Sequence, residues 1–599
     1  MDSEVLWLPD TFGYTGALPQ ILKGCKVNYL VTQKIFWSYN EGEQFPYHYF
    51  NWEGIDGSRI VSFLPTSYTY KTNPMQLEEV WKNRSQLQDL DAFLLPFGYG
   101  DGGGGPTRDD IEYAKREQNL EGAPRVELSD PKSFFKKMDE AGGPVNTYVG
   151  ELYFNAHRGT YTSQAKVKQN NRRAEFALRE MEMWGAFGLC KGNVYDSEKA
   201  DALWKELLLN QFHDILPGSH IHPVYEDAMK DYAEIEKTVD SLIGTGSKYF
   251  NTLNFKRDAL TFVPNKKGTA TRYGVKGNWI VPNIPALSSA SLRATKFNDE
   301  WLNCNGNNIE TPFYKAVLND DGSIASLVDK KQDRQWVAGD FNKLKIYTDC
   351  PGNYDAWDIL PNYKDKQIEI KVSEKLSLCE LDGECATFKT VLSTDKSTWT
   401  MLIRFFRRSR GIEVENIVNW NEKHKLAKAE FSCNVLTRKA LCDTSAGFIE
   451  RDTHKNTTWQ QARFETCHHK WADLSETDGG VALINDGKYG IGFDENTMSL
   501  SLLRATIRPD VTSDMGHHNF SYMIYPHENG AVEAGVNKLA FQFNEQLVKS
   551  DVSYNGDTFE PLYLQAMKDS EDGSMTVIRL SEQDGKRGKI KLSKSVKLL

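Results

Sequence analysis

The chain has 599 residues, 40% of them hydrophobic and 26% charged, and a formal net charge of −10. That length exceeds what one hydrophobic core serves and implies three or four domains. The acidic balance excludes a nucleic-acid partner, which needs a basic patch; no apolar run reaches bilayer-spanning length, so no membrane partner is expected. Aromatic residues reach 12%, with 14 Trp and 26 Tyr. Flat rings suit both sugar faces and β-sheets, and composition alone leaves the two open. Nine scattered Cys with no C-x-x-C pair argue against a disulfide framework or a Cys-rich zinc site. They favour a reducing compartment, the cytoplasm.

The predicted elements begin at once. Val5, Leu6, Trp7 and Leu8 read as a buried strand with nothing before it, so it is either an edge strand or a strand whose neighbour is missing. Strands are predicted at 27–32, 59–64 and 92–97, with an amphipathic helix at 107–118. This is an α/β pattern with parallel strands, in which functional residues gather past strand ends. Helical apolar periodicity follows at 166–189, 200–212 and 223–243, a three-helix bundle. From about 250, short alternating strands such as 412–420 and 481–493 predict an all-β region. The expected fold class is multidomain. A barrel-like partial (β/α) domain covers 1–130, a three-helix bundle 131–245, a small β domain 246–300 and a large β-sandwich domain 301–599.

Four segments could carry chemistry. Asp10 follows the first strand and precedes Gly13, flanked by Trp7, Phe12 and Tyr14; on spacing alone, capping of a following helix is the favoured reading. Asp101 sits in a loop followed by four glycines, where backbone can approach a ligand closely. It suits a general acid or a surface turn, whereas a phosphate cradle lacks the following Lys-Ser/Thr. His213 closes the second helix, beside Asp214 and before Pro217-Gly218, and fits a metal ligand or a residue complementing the helix dipole. His220 and His222 in the next loop read as exposed. The stretch 151–164, with Arg158, is dense in hydrogen-bonding side chains; it suits a substrate-facing loop, or a helix cap through Thr162 or Ser163.

Order and wording together go further. PDTFGY at 9–14, TQK-x-x-W at 32–37, F-x-W-x-G-I-D-G-S at 50–58, GDGGGGPT at 100–107, HRGTYTSQAKVK at 157–168 and LLLNQFHDILPGS at 207–219 stand in that order. The chain resembles glycoside hydrolase family 38, the class II α-mannosidases, of the cytosolic and vacuolar type. The resemblance covers essentially the whole chain. It implies a retaining glycosidase that removes α-linked mannose from oligosaccharides with a Zn2+ ion at the base of its site. By that resemblance Asp10 is the nucleophile and a zinc ligand, His213 a second ligand and Asp101 the general acid/base. Phe12 and Lys34 are substrate contacts by the same resemblance, and Arg158 is a candidate contact from the 151–164 loop. Partners are mannose-containing glycans, and a homo-oligomer is left open.

One departure is plain: the family's His-x-Asp zinc pair is nowhere in the sequence. Only two of four implied ligands are present, and catalytic zinc normally keeps three protein ligands. The expectation is therefore a chain lacking an N-terminal segment and nearly inactive by itself. The alternative is a non-catalytic carbohydrate-binding protein that has lost its metal site.

Overall fold

The computed structural model describes residues 3–37, 43–101, 103–188, 195–242, 246–295, 297–551 and 557–592. The chain forms two compact units, 1–157 with 456–462, and 158–455 with 463–599.

The first unit is built on strands β1 (Val5–Trp7), β2 (Tyr29–Val31), β3 (Tyr49–Glu53), β4 (Arg59–Phe63) and β5 (Thr147–Val149). Their spatial order is β1-β2-β4-β3-β5. β1, β2 and β4 run parallel; β3 and β4 form an antiparallel hairpin, and β5 runs parallel to β3. Leu30, Phe50, Trp52, Phe63 and Leu152 fill the interior completely shielded from water. Local sequence sets the helix starts. Helix α1 (Leu18–Gly24) opens on a proline, α2 (Pro74–Asn83) is capped by the Asn73 side chain, and α3 (Arg108–Arg116) carries a Thr107/Asp110 capping box. Helix α4 (Pro131–Glu140) is capped by Asp130. Although 131–149 reads as the start of the helical region, α4 and β5 belong to this first unit, where β5 hydrogen-bonds to β3.

Two strand expectations change. The N-terminal strand is at the sheet edge, one of its two expected alternatives, but it is not buried: Trp7 is 41% and Leu8 39% exposed. The predicted strand at 92–97 is irregular except for a bridge between Phe97 and Tyr70. Pro96 has no N–H to give a ladder, which confines the pairing to that bridge.

In the second unit, helices α5 (Ala165–Ala186), α6 (Ser197–Asn210) and α7 (His222–Leu242) pack around Val167, Leu178, Trp184, Leu203, Tyr232 and Ile235. This is the expected three-helix bundle. Small sheets at 249–290 lead into a nine-stranded antiparallel sheet. Its spatial order is Lys371–Leu381, Cys385–Ser393, Thr398–Phe406, Ile412–Trp420, Gly516–Glu528, Gly479–Asn485, Trp471–Ser475, Lys439–Thr444 and Gly447–Asp452. A five-stranded sheet shares its core, through Trp336, Phe341, Trp420, Phe431 and Tyr522. The predicted strand at 481–493 is two strands, Gly479–Asn485 and Gly490–Asp494, separated by a turn at Gly487 with φ +123°. No helix among the described residues is long and apolar enough to cross a membrane.

Candidate active site

Asp10 lies in the turn beyond β1. It caps no helix: α1 starts at Ala17 without a side-chain cap. Three tethers fix the turn instead. The Pro9 carbonyl accepts from the backbone N–H of Gln33 and Lys34, beyond the end of β2, at 3.0 and 3.3 Å. The Tyr14 hydroxyl reaches the Leu8 carbonyl at 2.7 Å and Thr32 Oγ1 at 2.8 Å. Gly13, at φ +130°, lets the chain pass a Leu152 carbonyl that a Cβ would meet at 3.0 Å. Two parallel neighbours thus present Asp10 and Lys34 side by side, and Lys34 Nζ stands 2.7 Å from Asp10 Oδ1. Lys34 is 6% exposed, with its ammonium 3.4 Å from the Trp37 ring centroid.

The second carboxylate arrives through a tyrosine. Tyr68, beyond the end of β4, donates to Asp101 Oδ1 at 2.8 Å and lies 3.3 Å from Asp10 Oδ2. The glycine loop makes this approach: a Cβ on Gly100 would come within 2.8 Å of the Tyr68 ring, and one on Gly98 within 2.5 Å of Pro106 N. Asp101 itself has φ +48°. Burial, and then the Asp101 hydrogen bond, raise the Tyr68 phenol well above its ordinary value, so it stays a donor. Phe12 sits half-buried at this end, edge-on to the His157 ring at 4.9 Å.

The remaining implied residues lie in the second unit. His213 follows α6 by three residues. Its side chain is 25% exposed, its ring packs on Phe212, and its Nε2 is 3.5 Å from Asp214 Oδ2. Asp214 Oδ1 in turn accepts from Ser219 Oγ at 2.7 Å. Arg158 is completely buried, its guanidinium 4.4 Å over the Phe464 ring. Of the two histidines expected to be exposed, His222 is, but His220 is only 4% exposed, its ring roughly parallel to that of Tyr225. The expected helix cap through Thr162 or Ser163 is also replaced. Asp514, 350 residues away, accepts from the N–H groups of Gln164 and Ala165 at 2.7 Å each.

Beside Asp10 in the first unit, Lys34 brings an ammonium and Tyr68 a phenol. Neither is the imidazole or thiolate that zinc prefers. Among the described residues no three His, Cys, Asp or Glu side chains form a metal-holding group. Lys34 and Tyr68 by themselves add no zinc ligand to Asp10.

Comparison with known proteins agrees along the chain. Residues 1–151 match the glycosyl hydrolases family 38 N-terminal domain, 155–249 the alpha mannosidase middle domain and 309–512 the family 38 C-terminal domain. Alpha-mannosidase 2C1 of Mus musculus is 34% identical over 90% of this chain and 54% of its own length. Alpha-mannosidase G of Dictyostelium discoideum is 32% identical over 97% of this chain and 61% of its own. The alpha-mannosidase of Saccharomyces cerevisiae is 31% identical over 96% and 55%. The chain therefore spans just over half the length of these relatives. The crystal structure of an alpha-mannosidase from Enterococcus faecalis V583 superposes with a TM-score of 0.77 at 14% identity, over 96% of this chain and 81% of that one. That likeness bears out the multidomain α/β, helical and β fold. With the family's N- and C-terminal domains both matched and in order, the chain belongs to glycosyl hydrolase family 38.

Proposed function

We propose that the site removes α-linked mannose from glycans by a retaining double displacement, with Asp10 as nucleophile and Asp101 as acid/base. The observation that carries this reading is the single Tyr68 hydroxyl shared by both carboxylates. Its two contacts limit those oxygens to about 6 Å of each other. Retaining enzymes place their carboxyls roughly 5–5.5 Å apart, whereas inverting ones need about 6.5–9.5 Å to admit a water. In the first step an Asp10 oxygen bonds to the anomeric carbon while the bond to the leaving oxygen breaks. That oxygen takes the Asp101 proton. In the second, Asp101 as carboxylate takes a proton from water, whose oxygen displaces Asp10. Lys34 orients the Asp10 carboxylate through their ion pair, and Phe12 offers an apolar ring to the sugar.

Zinc belongs to the proposal as the cofactor the family resemblance implies, with Asp10 and His213 the two ligands this sequence supplies. A catalytic zinc site needs at least three protein ligands, so two hold the ion weakly. We expect the 599-residue chain to purify with well under one zinc per molecule. Its turnover of an aryl α-mannoside should lie orders of magnitude below the ~1–10³ s⁻¹ usual for enzymes. Metal analysis and an initial-rate assay with added Zn2+ test this; stoichiometric zinc with ordinary turnover would show that other ligands exist. The second reading, a carbohydrate-binding protein without catalysis, is favoured by the same two-ligand count. It predicts mannoside binding with no hydrolysis even after long incubation.

A further inference from the structure

The second unit carries a cavity of about 210 Å3 that no step above uses. It lies where the start of α5, the start of α7 and the segment 506–518 of the β region meet. That segment is tied to both helices. Asp514 caps α5, and Asp510 Oδ2 accepts from Gln164 Nε2 at 3.0 Å and stands 3.1 Å from His222 Nδ1. The Gln164 side chain is committed to this junction by donating to Asp510 and by accepting from the Asp514 N–H. Gly218, five residues beyond His213, packs directly on the Ser163 carbonyl, which sets the cavity beside the His213 loop.

These ties leave other polar groups open. Among the described residues, the Tyr225 hydroxyl, His518 Nδ1 and the Lys166 ammonium make no hydrogen bond, and all three residues line the cavity. Each Asp514 oxygen is engaged by one N–H and keeps acceptor capacity. Rings of His220 and His222 lie roughly parallel to Tyr225, at 6.4 and 5.9 Å, and hold it as a flat face. Size and charge then select the occupant. At ~30 Å3 per water the cavity has room for about seven waters, the space of one pyranose ring, and falls below the ~300 Å3 at which drug-sized sites begin. Two carboxylates line it against one ammonium, and burial holds the His518 imidazole down to about 3, neutral at pH 7. The Lys168 and Lys488 ammoniums also act on Asp514, so the carboxylates are balanced and no single ionic charge is called for; a neutral polyol, whose hydroxyls both donate and accept, matches the open donors and acceptors.

We propose that this cavity binds one neutral pyranoside ring, a glycan unit other than the one cleaved, through hydroxyl hydrogen bonds to Tyr225, His518, Lys166 and Asp514 and packing on the Tyr225 ring. The choice of a mannoside as probe rests on the proposed function; the binding itself requires no turnover. Saturation-transfer NMR of methyl α-D-mannopyranoside on the full chain tests it. Tyr225→Phe should weaken binding about two- to tenfold, the worth of one neutral hydrogen bond. Tyr225→Trp, which fills the space, should abolish this component. Lys166→Met, at a half-buried rim position, should weaken it as well and guards against misfolding of the Tyr225 variants. The same component should persist in Asp10→Asn protein, and inorganic phosphate should not compete. Binding indifferent to Tyr225 and Lys166, displacement by phosphate, or no mannoside binding would each overturn the inference. Tyr225-dependent binding in a chain that never hydrolyses mannosides would leave it standing while the proposed function fails.

Discussion

Replacing Lys34 with Met removes the cation that stands 2.7 Å from Asp10 Oδ1. The gross attraction at that distance is about 6 kcal/mol at an effective dielectric near 20. Desolvation of both groups offsets much of it. Breaking a buried pair while leaving one charge behind typically costs about 3–5 kcal/mol. Here the Lys34 side chain is 7% exposed and that of Asp10 19%, so water and the Tyr68 hydroxyl still solvate the Asp10 carboxylate. We expect Lys34→Met to destabilise the first unit by about 2–3 kcal/mol. Asp10→Asn in the same background should recover part of that loss, because no uncompensated charge then remains. The double-mutant cycle should return a coupling of about 1–3 kcal/mol. Two units give no single two-state transition, so urea unfolding is followed by a probe in the first unit, such as the fluorescence of Trp37 packed on Lys34. A coupling below about 0.3 kcal/mol would mean that Lys34 does not hold Asp10, and the argument for its orienting role would fall.

In protein whose zinc ligand set is complete, Asp101→Ala should slow cleavage of substrates with poor leaving groups by about 10²–10⁴-fold and activated aryl mannosides far less, with external azide restoring the latter; equal losses on both substrates would remove Asp101 from the acid/base role. Glu180 on α5 is buried, and burial, with the neighbouring Glu545, pushes its carboxyl up from 4.5 to about 8. Because the folded value lies above the unfolded one, its contribution to stability is complete below about pH 4.5 and is lost as pH rises through about 8. Glu180→Gln, always neutral, should therefore gain stability relative to the parent progressively as pH rises from 5 to 9. A difference in urea midpoints that does not change with pH would refute it.

The parts of the fold carried by local pattern were legible in the sequence. Apolar periodicity alone places α5 to α7, and the strands at 59–63 and 412–420 follow from alternation. Pro96 was the visible warning against the strand at 92–97. The site was legible only where a motif carries it. Asp10 and Asp101 stand in recognisable segments, but nothing in Thr66-Ser67-Tyr68-Thr69-Tyr70 marks one of two tyrosines as the bridge between them. The one available signal was its position just past a strand end of an α/β domain, where functional side chains collect. Long-range caps were beyond reach. Thr162 and Ser163 carry the local capping chemistry, yet Asp514 satisfies the helix start from another part of the chain, and only the folded β region brings it there. His220 looked exposed for a similar reason: its burial comes from the surrounding packed elements, not from its neighbours in sequence.

The central claim is that Asp10 forms the covalent bond to mannose. A fluorinated mannosyl fluoride tests it directly, because fluoride leaves without protonation and the electron-withdrawing ring fluorine slows release of the ester. Even at a rate near 10⁻⁴ s⁻¹, label accumulates with a half-time of about two hours. After overnight incubation with added Zn2+, peptide mass spectrometry should find one fluoromannosyl group, attached to the Asp10 carboxylate and absent from Asp10→Asn protein. A label on Asp101 or on any other carboxylate, or no label at saturating reagent, would contradict the account.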